Sequence, residues 1–373
     1  MLCGLVLAAD TVLLGAFTPL VPHYSERFDL SSAETGLVVA AFPAGAAFAA
    51  LPAGRLAGVI GAKATLLIGL SLLSVASAWF AVLSSPAELA LTRAFQGVGS
   101  TVAWIGTFSW LVAREPPDRR GELIGRAYSM AMLGSLIGPS LAVAVIAAGA
   151  LPTFASVAAG FGALLVAFAW IPGLATPPPS TSARQRSLLR NRGVMIGTLL
   201  LGLQSLVFGS LSVLAPLRLS DLGFSTSMIS AVYVSTGILV IAINPLAGRW
   251  SDRRGHRLPM VYLLTAGAVA VSVLAYVNSA WAFAGVLITT EVALFGLSAP
   301  ASALVTDAVE AASLSLGVAW AVILLAWAPP NMVGALLGGV LRDAAHAPYL
   351  LLGALSILTV ALLMRRDVRA ALR

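Results

Sequence analysis

Along the chain, apolar stretches of mostly 17 to 28 residues alternate with short polar connections. At about 1.5 Å rise per residue, a helix of that length crosses a hydrocarbon core roughly 30 Å thick. The pattern predicts twelve helical spans, at about 2–21, 33–53, 64–83, 87–112, 122–148, 152–172, 193–217, 227–247, 259–277, 280–304, 313–340 and 348–364. In lipid, backbone polar groups must bond within their own segment. Twelve such spans therefore imply an all-α membrane protein and exclude an open sheet.

Composition agrees: 59% of the 373 residues are hydrophobic and 10% are charged, too few for a wetted globular surface. The basic residues set an orientation. Of the 22 Lys and Arg, 18 fall in every second connection or at the C-terminus, three lie on the opposite side (Arg27, Arg218, Arg342), and Arg93 lies within a span. By the positive-inside bias, both termini are expected in the cytoplasm of a bacterial-type inner membrane. The formal charge of +7 then faces anionic headgroups of the bilayer, and no nucleic-acid partner is expected. Cys3 is the single cysteine, which excludes an internal disulfide. Asp10 interrupts the first apolar run and no basic segment precedes it, so a signal peptide is not expected. The chain starts almost inside its first span, which suggests a short missing tail.

The longest connection, Gly173 to Arg192, is rich in Pro, Ser and Arg and suits a mobile cytoplasmic linker. It divides an N-terminal bundle of six spans (1–172) from a C-terminal one (193–373). The halves also repeat. Gly54, Arg55, Gly61 and Lys63 match Gly248, Arg249, Gly255 and Arg257 at a constant offset of 194, each set in the loop after the second span of its half. Secondary transporters are often built from such repeats, with the site near the midplane between them.

The segment Gly248-Arg249-Trp250-Ser251-Asp252-Arg253-Arg254-Gly255-His256-Arg257 resembles the signature loop of the major facilitator superfamily. Leu91-Thr92-Arg93-Ala94-Phe95-Gln96-Gly97-Val98-Gly99 resembles its fourth-span motif. Gly134-Ser135-Leu136-Ile137-Gly138-Pro139 resembles the fifth-span motif of its antiporter branch, which includes drug/proton exchangers. The resemblance implies two pseudo-symmetric six-helix bundles that carry a small molecule by alternating access. Two departures stand out. In the first-half loop Gly58 and Val59 replace the family's Asp and Arg, and Ala142 and Val143 replace a Gly pair after the fifth-span motif. Asp252 is expected near the start of the fifth span, around Gly121, as a conformational latch; the alternative is a solvated charged turn. Gly134 and Gly138 share a helix face that lets another helix approach, and Pro139 bends the span.

Three ionisable residues interrupt apolar spans: Asp10, Arg93 and Glu291. Each costs about 2.5–3.5 kcal/mol near the bilayer centre, so each should face a cavity or a partner. Asp10 and Arg93 lie ~9 Å apart in depth, within reach of an ion pair. Such a pair, opening and closing, could take up and release a proton. Glu291 has no basic residue in its span. The fourth and tenth spans are repeat counterparts, which sets Glu291 facing Arg93 or Asp10. Arg93, Gln96, Gly97, Ser100, Trp104 and Thr107 share one face of the fourth span, and Gln204, Phe208 and Ser212 give a similar face in the seventh. Trp104, Tyr233, Trp320 and Trp327 are candidates to line the cavity or to anchor packing.

No P-loop, metal cluster or nucleophile–base set occurs, which disfavours an enzyme or an ATP-driven pump. No cofactor is expected, with a proton gradient as the energy source, and the chain is expected to act as a monomer. The first expectation is a proton-coupled antiporter exporting a small lipophilic or cationic compound. The alternatives are a symporter or uniporter for a nutrient or metabolite, and a transport-dead sensor or scaffold.

Overall fold

The computed structural model describes residues 2–114, 117–171, 191–255, 257–311, 316–344 and 346–365. The described residues are helical throughout. In the first half they form α1 (Leu2–Arg27), α2 (Ser32–Ile60), α3 (Ala62–Phe80), α4 (Pro86–Arg114), α5 (Pro117–Ala148) and α6 (Ala150–Ala169). The second half has α7 (Arg192–Asp221), α8 (Thr226–Arg254), α9 (Arg257–Leu274), α10 (Ala280–Gly296), α11 (Ser298–Ala311), α12 (Leu316–Leu341) and α13 (Ala347–Leu363). Among the described residues, ten segments are long and apolar enough to cross a membrane, and α13 is a shorter apolar helix. With α4, whose apolar run is broken by its polar face, this is an all-helical membrane protein of twelve spans.

Two expected features change. The tenth span is not one helix: it breaks at Leu297 between α10 and α11. Pro300 has no N–H to give the Gly296 carbonyl, and its ring crowds that position. The repeated loop is also mostly not a loop. Gly54 and Arg55 lie inside α2, and Gly248, Arg249, Asp252 and Arg253 lie inside α8. Helix continues past the apolar run until a residue can reverse the chain, and that residue is glycine both times. Gly61 turns at φ 90° and Gly255 at φ 79°, a region that side chains with a Cβ avoid.

The chain forms two compact units. One comprises Met1–Ser180 with Thr226–Val234, the other Thr181–Ser225 with Ser235–Arg373. Residues 173–190 of the expected linker lie outside the described residues.

Three helix packings recur in both units. In the first, α1 packs on α5, α3 on α4 and α3 on α6; in the second, α7 packs on α12, α9 on α10 and α9 on α13. Hydrogen bonds repeat as well. Thr11 Oγ1 donates to the Ala131 carbonyl at 2.6 Å, and Ser205, 194 residues on, donates to the Trp327 carbonyl at 2.6 Å. Lys63 Nζ caps the end of α6 through the Ala169 carbonyl at 2.9 Å and the Ile171 carbonyl. Its counterpart Arg257 reaches Met364 Sδ, just past α13, at 3.0 Å. A cation at a helix C-terminus also meets the negative end of the dipole.

Small residues let these helices touch. A Cβ on Gly134 would collide with the Ala8 carbonyl and Thr11 Oγ1, and one on Gly138 would lie 2.7 Å from the Val12 carbonyl. On α12, a Cβ on Gly334 would collide with the Leu206 carbonyl, and one on Gly338 would lie 2.7 Å from the Ser210 carbonyl. Pro139 is buried on α5. It leaves the Ser135 carbonyl without its helical donor, and a Cβ on Gly15 would sit 3.0 Å from that oxygen.

Gly134→Ala and Gly334→Ala are expected to destabilise the protein by about 1–3 kcal/mol each through overpacking. Gly285→Ala, where a Cβ meets nothing within 4 Å, should be neutral or stabilising by up to about 1 kcal/mol. Thermal unfolding in detergent, followed by tryptophan fluorescence, checks the contrast; a wild-type melt for Gly334→Ala would contradict it.

Candidate functional site

α4 carries the polar face of the first unit. Pro86 starts the helix, where a missing N–H costs nothing, and steps of three and four residues bring Arg93, Gln96, Ser100, Trp104 and Thr107 onto one side. Arg93 is 3% exposed and Gln96 and Thr107 are fully buried. This face meets α1, where Asp10 is 3% exposed.

The expected Asp10–Arg93 ion pair does not form. Asp10 Oδ2 accepts from Ser100 Oγ at 2.8 Å and from Trp104 Nε1 at 2.6 Å. Ser100 lies roughly 10 Å beyond Arg93 along the helix axis, so the Arg93 charge acts on Asp10 through space without a bond between them. Arg93 instead donates through Nη1 to Gln96 Oε1 at 2.7 Å. Its guanidinium lies 4.1 Å from the Phe17 ring centroid and 4.8 Å from that of Phe42. A desolvated cation over an aromatic face is stabilised by about 2 kcal/mol, which here stands in for a carboxylate. Asp10 is thus held by neutral donors and Arg93 by neutral acceptors and rings.

The second unit repeats the frame with different charge. Gln204, the counterpart of Asp10, accepts through Oε1 from Ser298 Oγ at 2.9 Å, and Ser298 is the counterpart of Trp104. Phe208 packs edge-on against Phe295 at 5.3 Å, and Ser212 bonds back to the Gly209 carbonyl at 2.7 Å. Glu291 on α10 is 4% exposed. Within its unit it makes no hydrogen bond or ion pair with a described residue, and its Oε1 is buried. By the repeat, Glu291 stands where α4 has Gly97, whose Cβ would collide with the Phe42 carbonyl of α2. The residue corresponding to Phe42 is Thr236 on α8. A carboxylate thus occupies a position that the first unit keeps empty for close helix packing.

Among the conformational-motif residues, Arg249 and Arg253 are exposed and Arg257 is half-buried. The side chains of Asp252, Gly121 and Trp320 lie outside the described residues, as does the proposed Asp252 contact. Tyr233 and Trp327 are half-buried. Sequence reasoning missed Ser298, Thr11, Ser205 and the α12 pair Gly334 and Gly338. The offset of 194 would have found Ser298 from Trp104 and Ser205 from Thr11. The glycine pair is displaced from that offset, because Gly134 and Gly334 are separated by six residues more. Among the described residues, no three His, Cys, Asp or Glu side chains gather into a metal-binding group.

A twelve-span helical protein with two repeated units and carboxylates buried in its spans has the architecture of a membrane transporter. The chain belongs to the Major Facilitator Superfamily, which it matches over residues 1–329 and 198–373. It is similar to the MFS-type transporter ppzB of Metarhizium rileyi, 32% identical over 140 residues, covering 36% of this chain and 29% of that protein. It is also similar to the quinolone resistance protein NorA of Staphylococcus aureus, 27% identical over 128 residues, 34% of this chain and 33% of that one. The match thus spans about a third of the length of these relatives. Among solved structures, a D-xylose-proton symporter superposes with a TM-score of 0.79 at 17% identity, over 98% of this chain and 95% of the other. A bacterial homologue of the human lysosomal transporter Spinster gives 0.74 at 14% identity, over 100% and 94%. At these identities the likeness shows the fold alone.

A double-mutant cycle tests the pairing. Asp10→Asn with Trp104→Phe should show a coupling of about 1.5–3 kcal/mol in unfolding, as for a hydrogen bond to a charged group. Asp10→Asn with Arg93→Gln should couple more weakly, because those two charges act through space and not through a bond. Coupling of the second pair as strong as the first would contradict the geometry.

Proposed function

We propose that this transporter is a proton-coupled antiporter that exports a small lipophilic or cationic compound by alternating access, with Asp10 and Glu291 exchanging charge. One observation carries the reading: each unit buries a carboxylate that lacks a fixed counter-ion. Asp10 is held by Ser100 and Trp104, and Glu291 pairs with no described residue of its unit. Burial of an unpaired carboxylate is expensive in the charged form, so each group can trade a proton for a cationic or polar cargo at modest cost. Trp104 and Ser100, in place of Arg93, set how readily Asp10 does so. The likeness to a quinolone resistance protein favours export of an aromatic compound over uptake of a nutrient.

The same reading takes 1–172 and 193–373 as two bundles joined by a cytoplasmic linker at 173–192. It places both termini in the cytoplasm of a bacterial-type inner membrane and takes the working unit as a monomer. Gly54, Gly61, Gly248 and Gly255, with the basic residues around them, bias one state of the cycle. The proton gradient is the energy source, and no cofactor takes part.

A growth screen of an efflux-deficient host expressing the chain supplies a substrate. In everted vesicles that substrate should accumulate inside and release protons. Asp10→Asn and Glu291→Gln should each lower exchange at least about tenfold, or ~1.4 kcal/mol. Protons moving in the same direction as substrate would overturn antiport, and full exchange in both variants would remove these residues from it.

A further inference from the structure

We infer that the first unit contains a subsite for the carbonyl or carboxylate group of a planar aromatic solute, formed by Arg93 and Gln96 at an aromatic slit. The inference rests on the transport reading above only in making the bound solute a cargo; the subsite itself rests on geometry. The slit is lined by Leu13, Phe17, Phe80, Arg93, Gln96 and Phe154. In this state it is too narrow to admit a water molecule.

Two donors of this lining have no acceptor. Arg93 Nε and Gln96 Nε2 are both buried and unbonded. Gln96 Oε1 already accepts from Arg93, which fixes the orientation of the amide and leaves its NH2 group for another partner. Asp10 Oδ2 accepts from Ser100 and Trp104, and the unbonded Oδ1 belongs to a residue outside the lining of the slit. The polar lining itself thus offers donors, and its own charge is positive. A cation would be repelled here, whereas a carbonyl or carboxylate oxygen would complete the bonds that are missing. Buried donors left unbonded are uncommon in native proteins and carry an uncompensated desolvation cost. That cost is recovered when a ligand supplies the acceptor.

The remaining walls are aromatic. Phe17 meets Phe80 edge-on at 6.2 Å, and Phe80 meets Phe154 at 4.5 Å and a 49° tilt. Tyr24, whose hydroxyl is also buried and unbonded, packs against Phe17 and Phe80. These ring faces and edges suit a flat aromatic ring, whose entry requires the buried Phe80 and Phe154 to reorient.

Equilibrium dialysis of the full-length protein in lipid nanodiscs tests this with three matched probes: 2-naphthoate, 2-naphthamide and 2-naphthylmethylammonium. The first two should bind at least about tenfold more tightly than the ammonium. Gln96→Leu, checked for a wild-type thermal melt, should weaken naphthoate binding by about tenfold. If that variant does not fold, the probe comparison on the unaltered protein decides. Equal binding of all three, preference for the ammonium, or no binding above partition into protein-free nanodiscs overturns the subsite. Proton exchange is measured in parallel in proteoliposomes. Exchange without naphthoate binding sinks the subsite alone, whereas naphthoate binding without exchange keeps the subsite and sinks the antiport reading.

Discussion

The charge of Asp10 is the constraint around which the first unit is arranged. A carboxylate in a span must find donors inside the protein, because lipid offers none. Ser100 and Trp104 supply them and draw α1 onto α4. The opposite side of α1 is fixed to α5 by the Thr11–Ala131 bond and by the glycines that bring the two backbones together. The helix that carries the charge is therefore gripped from both flanks. In the second unit α7 is held the same way, by Ser205 and by Gly334 and Gly338 on α12. There Gln204 and Ser298 replace the charged contact by a neutral one. The frame repeats and the charge does not.

That asymmetry moves the second carboxylate to a different helix. Glu291 occupies the position that corresponds to Gly97, where the first unit needs close packing. Arg93 makes no bond to Asp10 and is held by Phe17, Phe42 and the Gln96 oxygen. An ion locked into a buried pair is costly to separate. Charges held by neutral donors and rings exchange partners more easily, which suits groups that must change state within a transport cycle.

Much of this was legible in the residues. The twelve apolar runs and the repeated glycines gave the all-helical membrane fold, because in lipid segment length and hydrophobicity leave few alternatives. The polar face of α4 was legible from its spacing. The partner of Asp10 was not: Arg93, Ser100 and Trp104 share one face of α4, and the level at which Asp10 meets that face decides which side chain bonds to it. Ser100 and Trp104 sat in the recognised stripe, yet Arg93 was chosen because opposite charges attract on paper. The break at Leu297 was also hidden, since an apolar run continues through it and only Pro300 marks the change of axis. Ser298 needed the offset of 194 applied beyond the turn glycines.

The central claim is that Asp10 exchanges its proton against cargo without separating from a fixed cation. Proton counting on the purified protein tests it most directly. A lipophilic cation such as tetraphenylphosphonium is added in weakly buffered detergent with a pH-sensitive dye. Release of protons on binding is predicted for the wild type, and Asp10→Asn should release fewer per cation bound. Saturable binding with no proton released from the wild type would contradict the account.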